Sequence, residues 1–402
     1  MNTIGPTLPA TKTPEDATMV PGRARITPRK FMGRWFALAL ALAIVLAPAH
    51  GRAADSVLEQ ATDLYGAVMW MESGAPGMVL VAVRGDAGLV RGYGETERGN
   101  HHEPDGNTLL RLNSITKVFT TEVLASLAAE GKLSLTDSLQ RFAGDRTVPR
   151  FGNGPITLLE LATHTAALPR EMGSAPEGTN PRAWPTKEVR WAWLPKYTLP
   201  WAPGTIASYS NIGFDFLADA LEAATGQSYP DLLRARVTGP LGMKDTGFAP
   251  TPEQCARLMT GTGLGGPATC VDTRATDGSG GLYSTGNDML RWLRHNLADT
   301  DGALLLSHAV YWPRQALSAA IGFDEGAAPM AGIGLGWVVT AADDVHPMVL
   351  TKSGGGAGFM SYIAFAPGRH VGVFVGVNRV DFGMFKGLAE GANGLIAQLA
   401  TR

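Results

Sequence analysis

Apolar residues cluster in short runs near both ends of the chain and recur at helical spacing between them. "GMVLVAVRGDAGLVRGYG" (77–94) reads as two short strands joined by a turn containing Gly85. Strands return late, in "GLGWVVT", "PMVLTKS", "SYIAFA" and "HVGVFVGVN", with Pro367-Gly368 turning the last pair. Between these ends a long helix is expected over 114–130. Val118, Val123, Leu124 and Leu127 set its apolar face, with Asn113 as N-cap and Gly131 as the stop. "TLLELATHT", "NIGFDFLADALEAATG", "YPDLLRARV" and "GNDMLRWLRHNL" read as further helices. An amphipathic tail, "FKGLAEGANGLIAQLA", is expected to pack against a sheet, with peripheral membrane contact as the alternative for the same face. Strands from opposite ends must share one sheet if either is to be buried. Residues 54–111 together with 331–402 then form an α/β sheet domain, and 112–330 a mainly helical one.

The first residues carry a different pattern. Basic residues in "RARITPRKFMGR" precede the apolar run "WFALALALAIVLA", and "PAHGRAAD" supplies small residues for cleavage. This three-part order is that of a secretory signal, and the run is short for a bilayer span. Residues 1–53 are read as leader and signal peptide. Cleavage is expected after Ala53, or after Ala49, and translation starting at Met19 or Met32 would explain the long polar stretch before the basic region. An uncleaved anchor is the alternative.

Composition narrows the class. The chain has 402 residues, 45% hydrophobic and 17% charged, with a formal net charge of -2. It is long enough for a large core, and its balance gives no electrostatic case for nucleic acid. There are 50 glycines, which implies many tight turns and close backbone approaches. No metal-finger spacing, phosphate-binding glycine loop or internal repeat is visible, and no cofactor is expected. His101, His102, Glu103 and Asp105 in "NHHEPDGN" stand together without helical or strand register and read as a solvated loop, not a metal site. Cys255 and Cys270 flank "GTGLGGPAT"; in an oxidising compartment they would close a loop worth ~3 kcal/mol, and two buried thiols are the other reading.

Three short motifs carry the chemistry. "SITK" sets Ser114 and Lys117 on one helix face. An ordinary lysine has pKa near ~10.4, so only about one in a few thousand is neutral at pH 7. Burial depresses that value and turns the amine into an acceptor for the serine proton. A helix N-terminus beneath Ser114 also favours an oxyanion there. "ASYSNIGF" supplies Tyr209 and Asn211 just before a helix, and "LTKSGGGAGF" supplies Lys352, Ser353 and Gly354 at a strand end. Each alone has an ordinary structural explanation: a core tyrosine, a cap, a strand-end charge, a turn. Their occurrence once each and in this order is what gives them weight.

The trio resembles the penicillin-recognising serine hydrolases: low-molecular-weight D-alanyl-D-alanine peptidases, class C β-lactamases and related esterases. "YGETERGN", "ITLLELATHTAALPRE", "LGMKDTGFAPTPEQCARLM" and "GSGGLYST" extend the likeness over almost the whole chain after the leader, towards the AmpH-type D-alanyl-D-alanine carboxypeptidase/endopeptidases. The resemblance implies a β-lactamase/transpeptidase-like fold of the α/β (α+β) class. Its antiparallel sheet is flanked by helices and joined to an all-helical domain, with the active site in the cleft between. It implies Ser114 as nucleophile, Lys117 as its base, and Tyr209 as the relay to the leaving group. Asn211 would bind a substrate amide or orient Lys117. Lys352 and Ser353 would hold a substrate carboxylate, with the backbone N–H groups of Ser114 and Gly355 as oxyanion hole. It also implies that Cys255 and Cys270 are joined. His164, in "LATHTAALP", belongs to the likeness and reads as structural.

One departure is visible. The usual third motif is Lys-Thr-Gly and here it is Lys-Ser-Gly, which keeps the hydroxyl and loses the methyl that restricts χ1. Modest changes in substrate preference are expected. No Gly-x-Ser-x-Gly elbow supports an α/β-hydrolase triad. The expectation is a periplasmic serine hydrolase that forms an acyl-enzyme with D-Ala-D-Ala stem peptides of peptidoglycan and with β-lactam antibiotics. A main activity as β-lactamase, an esterase, and a catalytically silent binder of cell-wall peptides are the alternatives.

Overall fold

The computed structural model describes residues 55–177, 184–264, 269–298, 302–323 and 328–401. The leader expected over 1–53 lies outside the described residues. Residues 54–402 form one compact unit.

Its centre is an antiparallel sheet of eight strands: β1 (Gly77–Arg84), β2 (Ala87–Gly94), β3 (Trp312–Pro313), β4 (Met330–Ile333), β5 (Val338–Thr340), β6 (Val349–Gly356), β7 (Phe359–Ala366) and β8 (Val371–Val377). The order across the sheet is β2-β1-β8-β7-β6-β5-β4-β3, so the first hairpin pairs with the last strand as expected. Leu80 faces Val375 and Val81 faces Phe374 in that β1–β8 ladder. Successive side chains point to opposite faces, and both faces are covered, which is why β1 is apolar almost throughout. Met78, Leu80 and Ala82 meet Val373, Val375 and the helices α1 (Ser56–Ser73) and α6 (Phe385–Ala400). Val79, Val81 and Val83 join the larger core with Phe119, Trp292 and Phe374. Burying one such side chain contributes about 1.5–3 kcal/mol.

The tail helix α6 lays Leu388, Ala392, Leu395 and Ile396 on the sheet, so its apolar face is already buried. It can lie close to α1 because Gly391 has no Cβ; one there would sit 2.4 Å from Met69 Cγ. Helix α1 is not among the elements read from the pattern. It is fixed by its ends instead: Asp55 accepts from Leu58 N–H at 3.1 Å, and Gly74 closes it in the left-handed conformation.

Residues 112–330 hold helices α2 (Thr116–Ala129), α3 (Lys187–Trp193), α4 (Asn211–Thr225) and α5 (Gly286–Asn296). This stretch is not wholly helical. Ile206–Ser208 pairs in parallel with Ala319–Ile321, Tyr283–Thr285 pairs with Leu109–Arg111, and β3 belongs to the main sheet. The two small ladders are too short for hydrophobic alternation to show in the sequence. They matter because each ends beside a motif, one at Tyr209 and the other at Ser114.

Cys255 and Cys270 are joined in a disulfide whose half-cystines lie 15 residues apart. Beside it, Arg111 Nη2 donates to the Thr269 carbonyl at 2.8 Å and Tyr283 Oη to the Val271 carbonyl at 3.0 Å. The bridge therefore ties its loop to the ladder that leads into the Ser114 turn.

Candidate active site

Ser114 does not open α2 as expected. It sits in a tight turn, Asn113–Ile115, ahead of the helix. Asn113 does not cap the helix either. Its φ is +49°, and its Nδ2 donates to the carbonyls of Gly356 at 3.0 Å and Phe359 at 3.2 Å. That side chain is spent on tying the turn to β6 and β7, so the serine is presented by the sheet as much as by the helix. Ser361 Oγ donates to the Leu112 carbonyl at 2.9 Å from the same side. Gly354 passes so close that a Cβ on it would lie 2.2 Å from Leu112 O and 3.2 Å from Ser114 N. The glycine of the third motif is thus a condition for the strand and the serine turn to meet.

Lys117, the second residue of α2 and three positions after Ser114, is fully buried. Its Nζ donates to Asn211 Oδ1 at 2.6 Å, to the Ser279 carbonyl at 2.7 Å and to Ser114 Oγ at 3.4 Å. Burial holds its proton affinity well below that of an ordinary lysine, and the Lys352 cation pushes the same way, opposed by Asp215 and Glu171. The environment therefore favours an uncharged amine at this position.

Tyr209 and Asn211 come from the segment between Ile206–Ser208 and α4. Ser210 is the N-cap, accepting from Gly213 N–H at 2.9 Å and donating to the Pro169 carbonyl at 2.7 Å. Three basic groups face the Tyr209 ring: Lys117 Nζ at 4.9 Å, Lys352 Nζ at 5.1 Å and the Arg170 guanidinium carbon at 4.7 Å from its centroid. His164 stacks on the same ring at 4.4 Å. It is buried, accepts from Ser210 N–H at Nδ1 (3.0 Å), and is kept neutral by burial and by the Lys117, Lys352 and Arg170 cations. Its role here is to hold the Tyr209 ring.

Lys352 and Ser353 lie on β6, with Lys352 Nζ donating to the Ser353 carbonyl at 3.0 Å. With Tyr209, Thr340 and Phe323 they line a narrow cavity. A second, wider pocket of about 310 Å³ is lined by Ser114, Asn211, Glu171, Asp215 and the exposed Gly355. The three motifs, separated by up to 241 positions in the chain (355 minus 114), thus converge on one groove. A larger cavity, about 880 Å³, lies elsewhere between Lys187, Glu222, Arg234 and Asp277, and none of the motif residues lines it.

Three contributors were not singled out from sequence: Glu171, which accepts from Asn211 Nδ2; Ser279, the carbonyl under Lys117; and Asp215. Asp215 had a legible signal, an acid on the buried face of α4 one turn after Asn211. In "NHHEPDGN", His101 Nδ1 lies 2.9 Å from Glu95 and Asp105 closes a turn with Thr108. Among the described residues no three His, Cys, Asp or Glu side chains are grouped to hold a metal.

Comparison with known proteins places this geometry. The Beta-lactamase family model matches residues 54–397. The chain is 41% identical over 350 residues to the D-alanyl-D-alanine-carboxypeptidase/endopeptidase AmpH of Escherichia coli K12, covering 84% of this chain and 88% of that protein. The crystal structure of a beta-lactamase/D-alanine carboxypeptidase from Yersinia pestis, complexed with citrate, superposes with a TM-score of 0.81 at 40% identity, over 86% of this chain and 99% of that one. A class C beta-lactamase superposes with a TM-score of 0.70 at 20% identity, over 85% and 97%, and shares the fold.

Proposed function

This chain belongs to the Beta-lactamase family and is a serine hydrolase, and from that premise we propose that it is a periplasmic D-alanyl-D-alanine carboxypeptidase/endopeptidase that also reacts with β-lactams. The observation that carries the reading is the buried Lys117 amine, within 3.4 Å of Ser114 Oγ and stripped of proton affinity by its surroundings.

In this proposal neutral Lys117 takes the hydroxyl proton as Ser114 Oγ attacks the carbonyl of the penultimate residue. Charge on the carbonyl oxygen is met by the N–H groups of Ser114 and Gly355. Lys352 and Ser353 hold the substrate's terminal carboxylate, so the scissile bond is presented to Oγ. The proton passes through Tyr209 to the leaving amine, and the acyl-enzyme is released when water, deprotonated by the same groups, attacks the ester. Asn211 keeps the lysine aimed. A β-lactam offers the same carbonyl and carboxylate in a strained ring. Whether its adduct is then hydrolysed quickly separates peptidase from β-lactamase. Export to the periplasm rests on the leader read from residues 1–53.

Mass spectrometry of the intact protein, followed in time after a pulse of penicillin and in parallel with assay of D-alanine released from a D-Ala-D-Ala peptide, tests this. A covalent adduct at Ser114 together with D-alanine release is expected. No adduct at any time would favour the silent binder, and turnover of simple esters without D-alanine release would favour the esterase.

A further inference from the structure

Lys117 has two cations near it, Lys352 and Arg170, and two anions that offset them, Glu171 and Asp215. Glu171 is exposed at the rim, bonded to Asn211, where water screens it. Asp215 is different: it is 2% exposed. It lies on α4 one turn beyond Asn211 and accepts a hydrogen bond from the Ser279 side chain. Ser279 is also the residue whose carbonyl receives Lys117 Nζ at 2.7 Å. One residue therefore joins base and acid, taking the amine at its carbonyl and giving its hydroxyl to the carboxylate. The other oxygen, Oδ1, is buried with no hydrogen-bond partner. A carboxylate kept only for packing would have both oxygens satisfied, because an unpaired one costs about 1–3 kcal/mol.

We propose that Asp215 is a positioning residue for the catalytic base: through Ser279 it fixes the carbonyl on which Lys117 rests, and its charge favours the form of the lysine that holds the serine's proton. This rests on the reading of Lys117 as base. A base must be uncharged enough to be available and basic enough to accept. Burial and Lys352 drive the amine in the first direction, and Asp215 restores part of the second. The charged groups around Asp215 are Lys117 from α2, Arg190 from α3, Asp219 on α4 itself and Asp277 from the 276–282 segment. Of the two cations Arg190 acts more strongly on Asp215, but its guanidinium is hydrogen-bonded to the Asp219 carboxylate, at 2.6 and 2.7 Å, and Asp277 is a second buried acid, so Lys117 is the cation on the groove side of Asp215. Burial pushes the Asp215 carboxyl up to about 6, which puts its charge change in the range where the enzyme is assayed.

The test is the pH profile of acylation by a fluorescent penicillin, read as the rate constant from pH 4.5 to 9. For Asp215→Asn, the midpoint of the acid limb should move down by about one pH unit, equivalent to a ~10-fold change in the uncharged fraction of the base. Ser279→Ala removes the donor that stabilises the Asp215 anion, and should move the limb the same way by less. Asp215→Glu should restore the wild-type midpoint. A rate reduced equally at every pH in both Asp215→Asn and Ser279→Ala, with the midpoint fixed, would reduce Asp215 to a packing residue and overturn the proposal. If Asp215→Asn does not fold, the Ser279→Ala midpoint decides alone. Failure of the functional reading looks different, since the wild-type protein itself would then form no adduct.

Discussion

Lys117 Nζ lies 2.6 Å from Asn211 Oδ1 and 3.4 Å from Ser114 Oγ. The amine is gripped by the amide and by the Ser279 carbonyl, and its loosest contact is the one to the serine hydroxyl, across which the proton moves in the proposed mechanism. Catalytic hydrogen bonds that are long without substrate tighten in the reacting complex, and the firm partners are what aim the amine. Asn211→Ala should therefore slow acylation by about 10²-fold or more by leaving the lysine unaimed, within the range set for one acid–base group. Stopped-flow measurement of penicillin labelling checks this; a rate within twofold of wild type would show that Ser279 alone suffices.

Ser114→Ala should abolish the covalent adduct while the melting temperature stays within a few degrees. The side chain is only half-buried and accepts from Lys117 Nζ at 3.4 Å, so little packing is lost. An adduct surviving in the intact mass would reveal a different nucleophile.

Lys117 also leaves a mark on stability. Its proton affinity in the folded protein is well below the ordinary value, so between the folded pKa and about 10.4 the unfolded chain binds more protons than the native one. The cost is fully present below the folded pKa and vanishes above the unfolded one. The difference in melting temperature, Lys117→Met minus wild type, should accordingly fall as pH rises from 7 towards 10. Calorimetry at several pH values reads it directly, and a difference that grows with pH would contradict the burial of an uncharged amine.

Gly354→Ala should damage the site more than the fold. The new Cβ would sit 2.2 Å from Leu112 O and 2.6 Å from Ser361 Oγ, and a backbone carbonyl cannot step aside. A loss of about 1–3 kcal/mol is expected from overpacking, with labelling falling far more steeply because the serine turn is pushed off the strand. At Gly355 the nearest atom to an added Cβ is Phe382 Cε1, at 3.2 Å, on an exposed ring that can turn away, so Gly355→Ala should keep wild-type stability. Denaturant melts of the two variants separate these cases.

The disulfide joins residues 15 apart. Replacing Cys255 and Cys270 by serine should cost about 3 kcal/mol, the loop-closure value for that separation. Reductant should lower the wild-type melting temperature by a few degrees and leave the double variant unmoved. If both proteins respond alike to reductant, the bridge carries none of the stability.

The motif residues were legible because chemistry restricts their types: few residue pairs other than serine and lysine one turn apart could form the proposed nucleophile and base. The hairpin at 77–94, the paired termini and helix α4 were legible because hydrophobic period survives wherever an element is long. Asn113 was misread as a cap, since a cap and a side chain reaching across to Gly356 and Phe359 use the same short amide. Helix α1 carried a readable stripe, Leu58, Ala61, Thr62, Tyr65 and Met69, which was passed over, whereas the ladders beside Ser114 and Tyr209 are too short to show a pattern. Asp215 and Ser279 lie outside the three catalytic motifs, and what they touch is set only by the packed chain.

The amino-acid order by itself determined the inventory: a serine, two lysines, a tyrosine, an amide and a glycine-rich strand, set on elements whose hydrophobic spacing could bury them. Only the packed chain decided that Lys117 is dry, that it rests on Ser279 and Asn211, and that Lys352 shares the Tyr209 ring with it. Those are properties of distance and dielectric between residues far apart in the chain, and no local pattern encodes either.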